Sequence, residues 1–165
     1  ARLADSSLSA RRIGSSPMVI SASPDYLRRH GMPQHLSELV RHQRLCYSQQ
    51  PVESMVPLGR TASDVPADIR VNNGDALKAF ALAGMGLIQT PAFVVSDDLA
   101  SGRLVRVLPG EHLGDYQISV VFPERAFMPL RTRRLIEYLA ANLSDLGVPA
   151  VPGSERGELA HRLAA

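Results

Sequence analysis

Residues 68–109 read DIRVNNGDALKAFALAGMGLIQTPAFVVSDDLASGRLVRVLP, and their order decides the fold class. Residues 68–71 alternate polar and apolar side chains, the period of a strand. Asn72, Asn73, Gly74 and Asp75 form a turn and helix-cap cluster. Residues 76–83 read as a helix, because Leu77, Phe80 and Ala81 recur at i, i+3 and i+4. Gly84 stops it, and residues 86–90 form a second strand. Strand, helix and strand with short joints imply a neighbouring parallel pair and a right-handed crossover. Pro91 opens a further helix to about Ser101, which Gly102 ends. Residues 104–108 are a strand, closed by Pro109 and Gly110.

Working outward, residues 8–13 are a short strand, and residues 14–17 (GSSP) carry a turn signal. Residues 18–22 (MVISA) are a compact apolar run, read as a buried strand. Ser23 followed by Pro24 is a good helix start, and Gly31 a good stop, so residues 24–30 are a helix. A second short helix covers 34–40, with Leu36, Leu39 and Val40 on one face. Residues 44–47 are a strand, 49–54 a polar loop, 55–58 a further strand, and 60–67 a turn. Downstream, residues 118–122 form a strand and 130–143 the longest helix. Its stripe places Leu135, Leu139 and Asn142 on one side, extended by Ile136, Leu143 and Leu146. The tail from 147 to 165 has two prolines and little order. No repeat is present. Strands alternate with helices, so the class is α/β with a largely parallel sheet.

The chain has 165 residues, of which 45% are apolar and 21% charged, ordinary for a soluble globular domain with its own core. Its 18 basic and 16 acidic side chains nearly cancel, to a net +2. That balance, with no Trp, argues against a nucleic-acid surface on these residues. No apolar run approaches the ~20 residues of a membrane span. The opening ARLADSSLSARR has no apolar stretch after a basic start, so no signal peptide is expected. A single cysteine, Cys46, suits a cytoplasmic protein, and its apolar strand suits an inert buried thiol.

Catalytic constellations are missing from the sequence. It has no Gly-x-Ser-x-Gly, Ser-x-x-Lys, His-Glu-x-x-His or phosphate loop. No enzyme activity and no cofactor are expected. His30, His35 and His42 lack metal-ligand spacing and read as solvated surface histidines, so no metal is expected either. Gly84 and Gly86 close a helix and open a strand, the reverse of a dinucleotide fingerprint. Arg131, Arg133 and Arg134 read as a solvated helix face.

Three phrases carry a family resemblance: LSARRIGSSPMVISASPDYLRRHG (8–31), residues 71–109 of the stretch quoted first, and ISVVFPERAFMPLRTRRLIEYLAANL (118–143). In this order they resemble the effector-binding domain of LysR-type bacterial transcription regulators. The resemblance implies a periplasmic-binding-protein-like fold of two α/β subdomains, joined by two crossing strands, with ligand in the cleft between them. Residues 1–21 would be the tail of the first subdomain and a crossover strand, and 22–108 the complete second subdomain. Residues 109–146 would be the return strand and C-terminal helix of the first subdomain, and 147–165 a flexible tail. The family's winged helix-turn-helix would lie outside this chain, which would be N-terminally truncated. The family also implies homodimers or homotetramers, and contact with DNA only through that other domain. Such a truncation would leave the strands at 8–13 and 118–122 without pairing partners, and Leu135, Ile136 and Leu139 bare. The lack of Trp is a departure, since many relatives carry one near the position of Met55.

The candidate effector site combines both readings. Asn72, Asn73, Gly74 and Asp75 sit at a strand's C-terminal end and a helix's N-terminus, where free N–H groups accept an anion. The plain alternative is that Asn73 caps the helix and Gly74 relieves the backbone. Gln89, Thr90 and Pro91 end the next strand, and the Thr90 hydroxyl could meet a ligand or cap the helix at Pro91. By resemblance this strand end borders the cleft, and Arg2 looks like an arginine that reaches into it toward a carboxylate. The function implied is an effector-sensing and oligomerisation module that binds a small, organic-acid-like metabolite. The alternative is a solute-binding protein of a transporter, which would share the fold.

Overall fold

A computed structural model describes residues 8–48, 69–123 and 129–143. The readings made for Arg2, for residues 49–67 and for 147–165 lie outside the described residues. The organising element is one long strand, β1, Leu8–Ala22. It is continuous through residues 14–17, where the sequence signals a turn. Gly14 and Pro17 both fit an extended chain, and the local irregularity is absorbed as a register shift between Arg12 and Gly14 rather than a reversal.

Two different partners use the two halves of β1. Its first half pairs antiparallel with β6, Asp115–Pro123, from Leu8 opposite Pro123 to Pro17 opposite Asp115. The strands at 8–13 and 118–122 are therefore each other's partners, contrary to the expectation that truncation would leave them unpaired. Its second half enters the main sheet between β4, Leu87–Pro91, and β5, Val105–Val107. Beyond β4 lie β2, Arg44–Tyr47, and the edge strand β3, Ile69–Val71.

Among the described residues the sheet is mixed, with β3–β2 and β2–β4 parallel and all three pairings of β1 antiparallel. The parallel half matches the sequence reading, but "largely parallel" does not describe the whole sheet. The reason is β1 itself: a strand that crosses between two sheets arrives running against its neighbours. The sequence also implies that β3 and β4 are direct neighbours. They run parallel as expected, but β2 lies between them.

Helices cover both faces of the main sheet. Because side chains alternate along a strand, Val19 and Ile20 of β1 point to opposite faces. Val19 joins Leu45 and Ile88 beneath α2, Gly74–Leu82, the 3-10 segment Ala92–Val94, and α3, Ser96–Ala100. Ile20 joins Leu87 and Val107 beneath α1, Pro24–His30, and the 3-10 segment Leu36–Arg41. Each fully buried Leu, Ile or Val side chain contributes roughly 1.5–3 kcal/mol through burial. The helix read after Pro91 is thus two short pieces, and the one read over 34–40 is a 3-10 segment. Pro, Gly and β-branched neighbours leave neither enough uninterrupted turns for a longer α-helix.

The caps are those the sequence signals. The Ser23 hydroxyl accepts from the Tyr26 amide at 3.2 Å, and Gly31 closes α1 at φ 86°. Asn73 accepts from the Ala76 amide at 3.0 Å. In α4, Leu130–Asn142, which packs on β1, Ile136 is buried but Leu135 is 57% exposed, so the buried face is centred one residue later than the apolar stripe suggests.

A buried carboxylate with two cationic partners fastens α2 and α3 to the turn before β5. The Asp98 carboxylate is almost wholly buried and meets Arg103 at 2.6 Å and Lys78 at 3.8 Å. Arg103→Ala would leave that carboxylate with only the more distant lysine. Arg103 is largely exposed, so the expected loss is about 1–2 kcal/mol, less than for a fully buried pair. Urea unfolding checks this, and a loss below about 0.5 kcal/mol would show that solvent already satisfies Asp98.

Candidate effector-binding site

The parallel strands β3, β2 and β4 all end at one edge of the sheet, where the chain turns out through Ser48, Asn72 and Pro91. At this edge the Ser48 amide donates to the Val71 carbonyl at 2.7 Å. The structure brings the Asn72–Asp75 turn and the Gln89–Pro91 strand end to this one rim, with the end of β2 between them. Open α/β sheets take ligands at such C-terminal strand ends.

Asn72, Asn73, Gly74 and Asp75 are all exposed. The Asn73 side chain is committed to the cap, which leaves the first amides of α2 and the open face of Gly74 for a ligand. Among the described residues, nothing lies within 4 Å of the position a Gly74 Cβ would occupy. Thr90 is different in kind. It is buried, and its hydroxyl has no hydrogen-bond partner among the described residues. It does not cap the following 3-10 segment, which removes the capping alternative. Thr90 stands opposite Val19 in the sheet, so its side chain lies on the face that carries α2. Gln89 is half-buried on the other face, and Pro91 is half-buried opposite Met18.

Two residues at this edge escaped sequence reasoning. Ser16 is fully buried, and its hydroxyl accepts a long bond from the Phe93 amide at 3.4 Å. Phe93 is 41% exposed beside it. The signal at Ser16 was masked by its GSSP context, which reads as a turn. Here the rim meets the crossing strands: the Met18 amide donates to the Gly114 carbonyl at 2.9 Å, just before β6 begins. The site therefore lies where β1 passes from one sheet to the other.

The remaining sequence candidates fall elsewhere. His30 and His35 are exposed as expected, but His42 is buried against Tyr26. Its place at the end of a 3-10 segment turns it inward onto α1. No group of three or more potential metal ligands occurs among the described residues. Cys46 is buried in β2. Gly84 ends α2 at φ 74°, and Gly86 lets β4 approach the Gln43 carbonyl. Arg131, Arg133 and Arg134 are exposed, and Arg134 meets Glu137 at 3.5 Å. No helix of the described residues is long and apolar enough to cross a membrane.

A mixed sheet flanked by helices, two antiparallel crossing strands and a rim of strand ends beside them define a ligand-binding α/β module of the periplasmic-binding-protein type. The chain matches the LysR substrate binding domain family over residues 1–144 and belongs to it: this is the regulatory module of a LysR-type transcriptional regulator. It is 33% identical over 144 residues to the HTH-type transcriptional regulator YhjC of Escherichia coli K12, covering 82% of this chain and 48% of that one. The HTH-type transcriptional activator AaeR of the same organism is 30% identical over 149 residues, 88% of this chain and 48% of that one. The chain thus spans about half the length of the curated relatives it matches. Among solved structures, the regulatory domain of CrgA from Neisseria meningitidis superposes with a TM-score of 0.72 at 26% identity, covering 87% of this chain and 72% of that one. The regulatory domain of AphB from Vibrio vulnificus gives 0.60 at 26% identity, covering 83% and 70%.

Proposed function

We propose that this module senses a small organic-acid-like metabolite at the rim formed by Asn72–Asp75 and Gln89–Pro91, and passes the change to a winged helix-turn-helix elsewhere in the whole protein. Arg2 completes the reading as a guanidinium partner for the effector's carboxylate. The observation that carries the proposal is the buried hydroxyl of Thr90, which has no hydrogen-bond partner among the described residues and lies on the same sheet face and at the same edge as the N-terminus of α2. A buried hydroxyl without a bond is costly, and a ligand oxygen at this edge would relieve that cost. The amides at the start of α2 would meet a negative charge, while Asp75 sets a limit on how much charge is welcome.

The ligand acts by binding one arrangement of the crossing strands better than another. The whole protein is a cytoplasmic, non-enzymatic regulator that works as a homodimer or homotetramer, since paired helix-turn-helix units read two half-sites. Relatives named as transcriptional regulators favour this over a transporter's solute-binding protein. A thermal-shift screen of small organic acids on the full-length protein tests it. A ligand at a hundred times its Kd adds about 2.7 kcal/mol and raises the melting temperature by several degrees. A screen in which neutral sugars or amines shift the melt and no carboxylic acid does would overturn the organic-acid reading.

A further inference from the structure

At the opposite edge of the sheet from the candidate site, Tyr26 of α1 makes three contacts. Its hydroxyl accepts from the Gln43 amide at 2.9 Å and lies 3.2 Å from Nδ1 of His42, and its ring stacks on His30 with centroids 4.5 Å apart. The Gln43 carbonyl in turn accepts from the Leu87 amide at 2.9 Å, the first residue of β4. Arg29, on the same helix, donates to the Gly84 carbonyl at 2.8 Å. α1 is therefore tied to the base of β4, whose far end is Thr90 and Pro91. Tyr26 is essentially inaccessible and His42 nearly so.

The Gln43 amide donates to the phenol oxygen, and the arrangement that also gives the phenol hydrogen an acceptor among these groups has the O–H donating to His42 Nδ1. The imidazole is then neutral, with its proton on Nε2. A proton added to Nδ1 would face the phenol hydrogen. The phenol would have to turn that hydrogen away into a buried site and accept two donors, while a positive charge is brought under the sheet.

We propose that Tyr26 and His42 form a proton-sensitive latch that holds α1 and the Leu36–Arg41 segment to the base of β4 when His42 is neutral and releases them when it is protonated. The ionisable groups that act on the ring are His30 of α1 and Glu38 of the 3-10 segment, beside Tyr26, which itself feels Arg29; Arg41 and Arg44 flank it in sequence. Burial, and then His30, hold the His42 imidazole below the ordinary 6.5, and Glu38 opposes them. Burial likewise holds the Tyr26 phenol above its ordinary value, so it keeps its proton. The sign follows. A histidine whose folded pKa is depressed gives stability that is complete above its unfolded value, and that falls away as the pH drops from there to the folded value.

Two measurements on the full-length protein test the latch. His42→Gln keeps an acceptor for the phenol but cannot titrate. Between about pH 7.5 and about pH 5.5 the wild type is expected to lose several degrees more of melting temperature than His42→Gln. Over the same range, the protection factors of the Gln43 and Leu87 amides, measured relative to intrinsic exchange at each pH, should fall in the wild type alone. Should His42→Gln fail to fold, the NMR titration of the wild-type imidazole decides: it should fall below the ordinary 6.5, with the Gln43 amide shift following the same curve. Equal pH slopes in the two proteins, or a His42 that titrates at or above the ordinary 6.5, would overturn the proposal.

Discussion

Gly14→Ala is expected to destabilise the module by roughly 1–3 kcal/mol or more, although glycine-to-alanine changes in unstrained strands usually help. The general gain comes from the unfolded chain, which loses freedom worth about 0.4–1 kcal/mol. At Gly14 the folded state decides instead. A Cβ there would lie 1.8 Å from the carbonyl oxygen of Leu143 and 2.9 Å from its carbon. The obstacle is backbone at the end of α4, which cannot swing aside as a side-chain tip could. Either α4 lifts from β1, baring Ile136, or β1 moves away from β6. Thermal melts should show a drop of several degrees. Gly110→Ala is the control, because none of the described residues lies within 4 Å of its added Cβ, and it should be neutral within about 0.5 kcal/mol. A Gly14→Ala protein as stable as the control would show that α4 does not close on β1 as described.

Thr90→Val should separate binding from folding. The hydroxyl it removes has no partner among the described residues, so stability should be unchanged or higher by about 1 kcal/mol. Effector binding should fall at least about tenfold, which is about 1.4 kcal/mol. The measurement is calorimetric titration with whichever organic acid gives the largest thermal shift in the wild type. Few substitutions are expected to raise stability and remove binding together, and that combination is what a ligand-facing hydroxyl predicts. Unchanged affinity with raised stability would place the effector elsewhere on the rim. Lost stability would mean that Thr90 has a structural bond of its own.

Much of this architecture was legible because it rests on local rules. Ser23 and Asn73 announce their helices by capping chemistry, and Gly31 and Gly84 end theirs at positive φ. The apolar spacing of Leu77, Phe80 and Ala81 identifies α2, and the alternation around Ile69 and Val71 identifies β3. These signals involve residues within one or two turns of each other, so they survive without knowledge of the rest of the molecule. The parallel direction of β3 and β4 followed from the short joints between them and α2.

Long-range pairing is what tertiary structure alone decided. Residues 14–17 carry turn chemistry, yet they stay extended because β6 supplies a partner to each side of the bulge and Leu143 closes over Gly14. That β2 inserts between β3 and β4 depends on a strand from another part of the chain, which no local pattern could reveal. His42 resembles any polar surface histidine in sequence, and it is buried because Tyr26, sixteen residues earlier, offers it a hydroxyl. The burial of Thr90, without a hydrogen-bond partner among the described residues, has the same origin. Its residue type permits capping, solvation or ligand contact, and only the neighbours brought over it by β1 and α2 remove the first two. Sequence by itself determined α1, α2, β2, β3, β4 and the strand ends that form the rim, whereas the depth of Thr90, the seat of His42 and the path of β1 came from contacts between segments far apart in the chain.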